Sequence, residues 1–273
     1  MRRLPPRVVA HRGASAQLAE HTLAAYVLAL EQGADGLECD VRMTRDGHLV
    51  CIHDRRIDRT STGRGAVSAE TLAELAEHDY GSWHAGLGSA GELLQRRMTD
   101  DPAAYTGLLT LAELLDLVTS WPRPVQLFIE TKHPVRHSGL VEAELLGLLA
   151  HYGLTTPPTR ADSPVVIMSF SALALRRVRA EAPALPTVAL LLGLGQARSG
   201  RLPSWADIAG PGIGALRSDP GFVLRAEAHG HPTYCWTVDD PADVALCAHY
   251  GVAYVATNRP AQTRELLHQQ AGR

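Results

Sequence analysis

Short apolar runs rich in β-branched residues alternate with longer amphipathic stretches along most of this chain, and that alternation restricts the fold more than any other feature. The runs fall at residues 8–10, 36–43, 48–53, 125–131, 165–170, 188–192, 213–216, 233–238 and 254–257. Between most of them lie segments such as HTLAAYVLALEQGA, TLAELLDLVTSW and PADVALCAHYG, with apolar residues at helical spacing. The second opens on Thr110 with Glu113 three residues on, a capping-box pattern. Repeated strand, helix, strand order specifies a parallel sheet, because parallel neighbours need a long crossover, usually a helix.

The third run is the exception. Only a few residues around Arg45, Asp46 and Gly47 separate it from the second, too few for a crossover, so GLECDVRMTRDGHLVCIHD (36–54) must form a hairpin. A two-residue turn at Asp46 and Gly47 sets His53 opposite Asp40, and alternation of side chains puts Glu38, Asp40 and His53 on one face. Setting this arm aside leaves eight parallel strands, a (β/α)8 barrel. The length of 273 residues fits one such domain spanning 1–273. Residues 55–109 show helical spacing only around 71–77 and are otherwise rich in Gly, Ser and turn residues. They read as an insertion over one barrel end; a disordered surface loop is the competing reading.

Charge and cysteine usage narrow the function. The formal net charge is -3 and no run of Lys or Arg occurs, which excludes a nucleic-acid footprint. Cys39, Cys51, Cys235 and Cys247 form no CxxC pair, and the first three fall in apolar runs, where free thiols behave as small buried hydrophobes. MRRLPPRVVAHRG lacks the apolar core of a signal peptide, and no apolar stretch approaches the ~20 residues that span a bilayer. A cytoplasmic protein without stable membrane insertion is expected; oligomeric state stays open.

Acidic residues inside apolar strands carry the chemistry, since a buried carboxylate must be paired or metal-bound. Glu38, Asp40 and Glu130 all sit toward strand C-terminal ends, where barrel enzymes place catalytic groups. Three hard oxygen ligands without an adjacent Cys favour Mg2+ or Ca2+ over zinc. A salt-bridge set with Arg12, Arg42 or Lys132 is the alternative. His11 and His53 also end strands, and a pair of imidazoles suits proton transfer to and from a reacting oxygen. Arg12 and Lys132 add fixed positive charge suited to a phosphate. Neither a GxSxG elbow, a GxxxxGK[ST] loop nor a GxGxxG fingerprint accompanies them, so serine-hydrolase and nucleotide-dependent readings fall away.

HRG, AEHT, GADGLECDVRMTRDGHLVCIHD, FIETK, MSFS, CWTVDD and TNRP, in that order, resemble the motifs of the glycerophosphodiester phosphodiesterase family, as do RTSTGRGAVS and LAELAEHDYGSW in the insertion. The resemblance implies a TIM barrel that cleaves small-molecule glycerophosphodiesters to sn-glycerol 3-phosphate and an alcohol with a divalent cation. It implies His11 and His53 as the acid/base pair, Glu38, Asp40 and Glu130 as metal ligands, Arg12 and Lys132 as phosphate-binding cations, and Trp236 in the substrate cleft. It leaves two routes open, attack by the substrate's own 2-hydroxyl to give a cyclic phosphate, or direct attack by water. Two departures stand out: His21 where the family pattern has Asn, and Asn258 where it has Asp. Competing readings are a lysophospholipase D or sphingomyelinase D-like enzyme acting on lipid headgroups, with Leu87, Leu93 and Leu94 as its apolar lip, and a catalytically silent phosphodiester-binding barrel.

Overall fold

The computed structural model describes residues 4–84, 106–135 and 139–271. Its strands are β1 (Arg7–His11), β2 (Gly36–Met43), β3 (Leu49–Cys51), β4 (Gln126–Thr131), β5 (Val165–Ser169), β6 (Thr187–Leu191), β7 (Ile208–Pro211), β8 (Tyr234–Cys235) and β9 (Tyr254–Thr257). Eight of them pair in parallel in the order β7-β6-β5-β4-β2-β1-β9-β8. Single parallel bridges, Ala209 to Thr233 and Gly212 to Trp236, join β7 to β8 and close the ring. Helices follow the strands, so the fold is a (β/α)8 barrel.

Alternation along each strand divides the core into two shells. Val9, Phe128, Val166, Met168, Val188, Ile208 and Tyr234 fill the barrel interior, while Ala10, Leu37, Cys39, Leu127, Ile129 and Ile167 face the helix layer. Phe128 is fully buried in the interior, with ring centroids 5.0 Å from Tyr234 and 5.1 Å from Tyr254, and these rings form a packed floor. All four cysteines are buried and free, the first three in the apolar runs and Cys247 in the helix Pro241–Tyr250. Among the described residues no helix is long and apolar enough to cross a membrane.

Two details differ from the sequence reading. Residues 213–216 are not a strand: Ile213–Ser218 is a helix, and the seventh barrel strand is the preceding Ile208–Pro211. IAGP lacks the β-branched density that marks a strand, and its Gly210 is tolerated because the neighbouring strand packs where a side chain would stand: an added Cβ would lie 2.7 Å from Val188 Cγ1. The hairpin register is also one residue away from expectation. Val41 pairs with Cys51 and Met43 with Leu49, because the loop holds three residues, with Gly47 at φ 93° and Thr44 N–H donating to His48 O at 2.9 Å. Ile52, not His53, therefore stands across from Asp40, its N–H donating to the Asp40 carbonyl at 3.0 Å.

The described part of the insertion is ordered against the hairpin. Its helix Leu72–Ala76 starts at a Thr71/Glu74 capping box. Leu75, Ile57, Val67 and Tyr80 bury against Val50 and Ile52 in a small core of their own, which overturns the disordered-loop alternative for that part. Leu87, Leu93 and Leu94 lie outside the described residues. The expected capping box at Thr110 and Glu113 is present and opens Leu111–Ser120.

Candidate active site

Inward-pointing positions at the C-terminal ends of neighbouring strands bring the acids and a histidine together. On β1 the inward face runs through Val9 to His11; on β2 it carries Glu38 and Asp40, between outward Leu37, Cys39 and Val41. On β4 it carries Phe128 and then Glu130. Parallel register sets His11 beside Glu38 and Asp40 beside Glu130.

Each of the three buried carboxylates offers an oxygen within 4.8 Å of the others. Lys132 Nζ lies 2.9 Å from Asp40 Oδ1 and 2.7 Å from Glu130 Oε1, and Arg12 Nε lies 3.1 Å from Asp40 Oδ2. Glu38 Oε2 accepts from the Arg12 backbone N–H at 3.0 Å and stands 4.0 Å from His11 Nε2. Two side-chain cations against three carboxylates leave negative charge in excess, and the protons reflect it. Burial, then the Asp40 charge, holds Glu38 well above the usual carboxylate range and pushes Glu130 up to about 7. Burial also opposes the charge on Asp40, yet the His21 hydrogen bond and the charges of Lys132 and Arg12 hold it well below that range. Asp40 Oδ1 meets Lys132 at ion-pair distance without hydrogen-bond geometry. A crowded set of hard oxygens with surplus charge and one carboxylate oxygen short of a hydrogen bond fits a divalent cation. Of the ion pairs named as the alternative, those of Arg12 and Lys132 are formed, whereas Arg42 donates to the His53 carbonyl instead, and the pairs formed do not balance the set.

His11 Nδ1 lies 2.8 Å from Asn258 Oδ1. Burial, then the Arg12 guanidinium, pushes this imidazole down to about 4. His53 reaches the site by a different route from the one its strand position suggests. β3 ends at Cys51, the chain bends, and Arg42 holds the His53 carbonyl through Nε (3.0 Å) and Nη2 (2.7 Å). His53 Nδ1 pairs with Asp54 Oδ1 at 2.7 Å, and burial lowers this imidazole too.

A polar chain on the insertion side ties the two strand ends together. Glu20 accepts from Arg12 Nη1 at 3.0 Å and from Arg59 Nη1 and Nη2 at 2.9 and 2.7 Å. Arg59 Nε donates to Asp54 Oδ2 at 2.6 Å. Glu20 is driven down to about 2 because the Arg59 hydrogen bond and the surrounding positive charge overcome its burial. His21, at φ 62°, enters the site: Nε2 lies 2.9 Å from Asp40 Oδ2 and Nδ1 2.8 Å from the Tyr26 hydroxyl.

His53, Glu130 and Lys132 line a cleft of about 260 Å3 with Arg42, Arg55 and Phe170. Trp236 is half-buried, donates its indole N–H to Gly210 O at 2.8 Å, and meets Phe170 edge-on at 5.4 Å. The structure thus collects His11, Arg12, Glu38, Asp40, Glu130 and Lys132 directly, His53 through Asp54 and Arg59, and Trp236 through Phe170. Sequence reasoning passed over Tyr26, Asp54, Arg59 and Phe170 as site residues. Asp54 was visible as the neighbour of His53 in CIHD; the others are joined to the site only by the fold.

The model of the glycerophosphoryl diester phosphodiesterase family matches residues 11–262, which spans every one of these groups. The chain belongs to that family. As a glycerophosphoryl diester phosphodiesterase family member it is 50% identical to the probable glycerophosphodiester phosphodiesterase 1 of Mycobacterium tuberculosis H37Rv, over 96% of this chain and 92% of that protein. It is 34% identical to the glycerophosphodiester phosphodiesterase of Bacillus subtilis, over 97% of this chain and 87% of that one. Among solved structures, the family's barrel from Agrobacterium tumefaciens superposes with a TM-score of 0.73 at 27% identity, covering 95% of this chain and 99% of that one.

Proposed function

We propose that this chain hydrolyses glycerophosphodiesters to sn-glycerol 3-phosphate and an alcohol, within one domain spanning 1–273, by a reaction that depends on Mg2+ or Ca2+. The observation that carries this reading is the meeting of two imidazoles, three buried carboxylates and two cations at the C-terminal end of one barrel, in a chain half identical to a probable enzyme of that activity.

In this reading Glu38, Asp40 and Glu130 would hold the cation, which would supply Lewis-acid stabilisation of developing phosphate charge. Arg12 and Lys132 carry the positive charge that receives the phosphate, each already anchored on Asp40. His11 removes the proton of the attacking hydroxyl as the new P–O bond forms. His53, backed by the Asp54 carboxylate, gives a proton to the alcohol oxygen as its bond to phosphorus breaks. Trp236 and Phe170 supply an apolar wall that keeps water from one side of the cleft. If the attacking group is the substrate's own 2-hydroxyl, the first step yields the alcohol and a cyclic phosphate, and water then opens the ring to sn-glycerol 3-phosphate, so the cyclic species can be trapped.

Lysophospholipids form a second reading, favoured by one observation. Arg42 and Arg55 are shared between the cleft and a larger groove of about 590 Å3, whose walls include Met43, Val67, Val135 and exposed Leu140. One assay tests both readings. The chelator-treated protein is incubated with glycerophosphocholine, glycerophosphoethanolamine or lysophosphatidylcholine, adding Mg2+, Mn2+ or Ca2+ in turn, and the products are quantified. Metal-dependent release of glycerol 3-phosphate is expected, together with its loss in His11→Ala and His53→Ala proteins of unchanged fold. Release of choline from the lysolipid alone would move the substrate to the second reading, and binding without turnover of any diester would leave a silent barrel.

A further inference from the structure

Behind His11, on the edge of its ring away from Glu38, hydrogen bonds form a chain that fixes the orientation of one amide and, through it, the hydrogen of the ring nitrogen it meets. Asn258 follows β9. Its backbone N–H donates to Asp239 Oδ1 at 2.7 Å and its side-chain Nδ2 donates to Asp239 Oδ2 at 2.6 Å. Thr257 Oγ1 donates to the same Oδ1 at 2.9 Å. Carboxylate oxygens accept, so the amide nitrogen of Asn258 must be the end that faces Asp239; a flipped amide would press two acceptors together. The amide oxygen is thereby turned toward His11, with Nδ1 at 2.8 Å and the Ser15 hydroxyl also at 2.8 Å. An amide oxygen has no hydrogen to give, so the hydrogen on that contact belongs to His11 Nδ1. In the neutral ring the lone pair then sits on Nε2, the nitrogen that faces the carboxylate cluster.

We propose that Asn258 and Asp239 are positioning residues that select the Nδ1–H tautomer of His11 and so present Nε2 to the cleft as the proton-accepting atom. The proposal rests on the reading of His11 as a proton carrier. It also explains how Asn serves where the resembled family pattern has Asp. The amide orients the ring without placing a charge against it, and Asp239, one residue further from the reaction, sets the orientation of the amide. Both belong to loops that follow β8 and β9.

The donor and acceptor roles can be exchanged, which gives a sharp test. In Asn258→Asp/Asp239→Asn the amide at 239 donates to the carboxylate at 258, its oxygen still accepts from Thr257 and the backbone, and an oxygen still faces His11 Nδ1. Asn258→Asp alone sets two carboxylates against each other, and Asn258→Ala leaves Nδ1 without its acceptor. The tautomer is read from the 15N shifts of His11, assigned by the signal missing in His11→Gln, and kcat and KM are measured on glycerophosphocholine with saturating metal. Expected are an Nδ1–H ring in the native protein, a mixed ring in Asn258→Ala, and a fall in kcat of about 100-fold with KM changed by less than about 3-fold, the size of a lost acid/base contribution. The exchange variant is expected to recover most of the kcat lost by Asn258→Asp. A native tautomer retained in Asn258→Ala, or an exchange variant no better than Asn258→Asp, would overturn the proposal. If the native protein turns over no diester, the functional reading falls on its own and the 15N measurement still decides the tautomer.

Discussion

Binding of the divalent cation should release protons, by an amount set by the crowding of the carboxylates. In the metal-free protein Glu130 titrates at about 7 because it is buried beside the Asp40 charge. At pH 6, one unit below, about nine-tenths of the molecules carry a proton there. A cation that takes both carboxylate oxygens into its field must displace that proton, so its apparent affinity should rise about tenfold per pH unit below 7 and level off above. Glu38, also held above the usual range, steepens the slope toward two protons. Titration calorimetry with Mg2+ at pH 6 in two buffers of different ionisation enthalpy reads the count directly: about one to two protons per ion is expected, with the count falling by pH 8. Binding at pH 6 without proton release would refute the reasoning. Stability is a poorer readout. The raised pKa of Glu130 contributes stability that is present below its unfolded value of 4.5 and lost as pH rises through 7. The depressed pKa of His11 acts oppositely, stability being lost as pH falls from 6.5 through 4. Each is worth about 3 kcal/mol at ~1.4 kcal/mol per unit, and over the shared window they nearly cancel.

Two further outcomes follow from packing around the site. Phe128→Ala removes the ring at the centre of the barrel floor, level with Glu38 and one inward position below Asp40 and Glu130, and should cost about 3–5 kcal/mol in urea unfolding; a loss under 1 kcal/mol would show the floor collapses freely. His21→Ala should weaken Mg2+ affinity about 10- to 100-fold by calorimetry while the fold is kept, since His21 holds Asp40 Oδ2 at 2.9 Å. Unchanged affinity would assign His21 to packing against Tyr26 alone.

Much of this protein was legible in its one-dimensional pattern. The alternation of strand and helix runs specified the barrel, because parallel neighbours cannot be joined by short loops. Acids among apolar residues at 38, 40 and 130 marked the candidate site, because buried charge must be compensated, and the fold brings the three together. These are local signals, carried by residue type and period. The strand IAGP escaped because its small residues are chosen by the close approach of β6, a constraint absent from its own sequence. The hairpin was recognised but its register slipped by one residue, since a turn of three residues with Gly47 at positive φ is not distinguishable by spacing from a turn of two.

Tertiary structure alone decided how the site is wired. Arg59, from the insertion, bridges Glu20 and Asp54 across 39 and 5 residues of sequence, and Asn258 reaches His11 across 247. The sequence by itself determined which strands carry the buried acids and His11 and which face of those strands turns inward, because period and burial are properties of a single strand. It could not determine which partner each side chain meets at a strand's end, because that depends on which loops the closed ring brings over the same rim, and ring closure belongs to the whole chain.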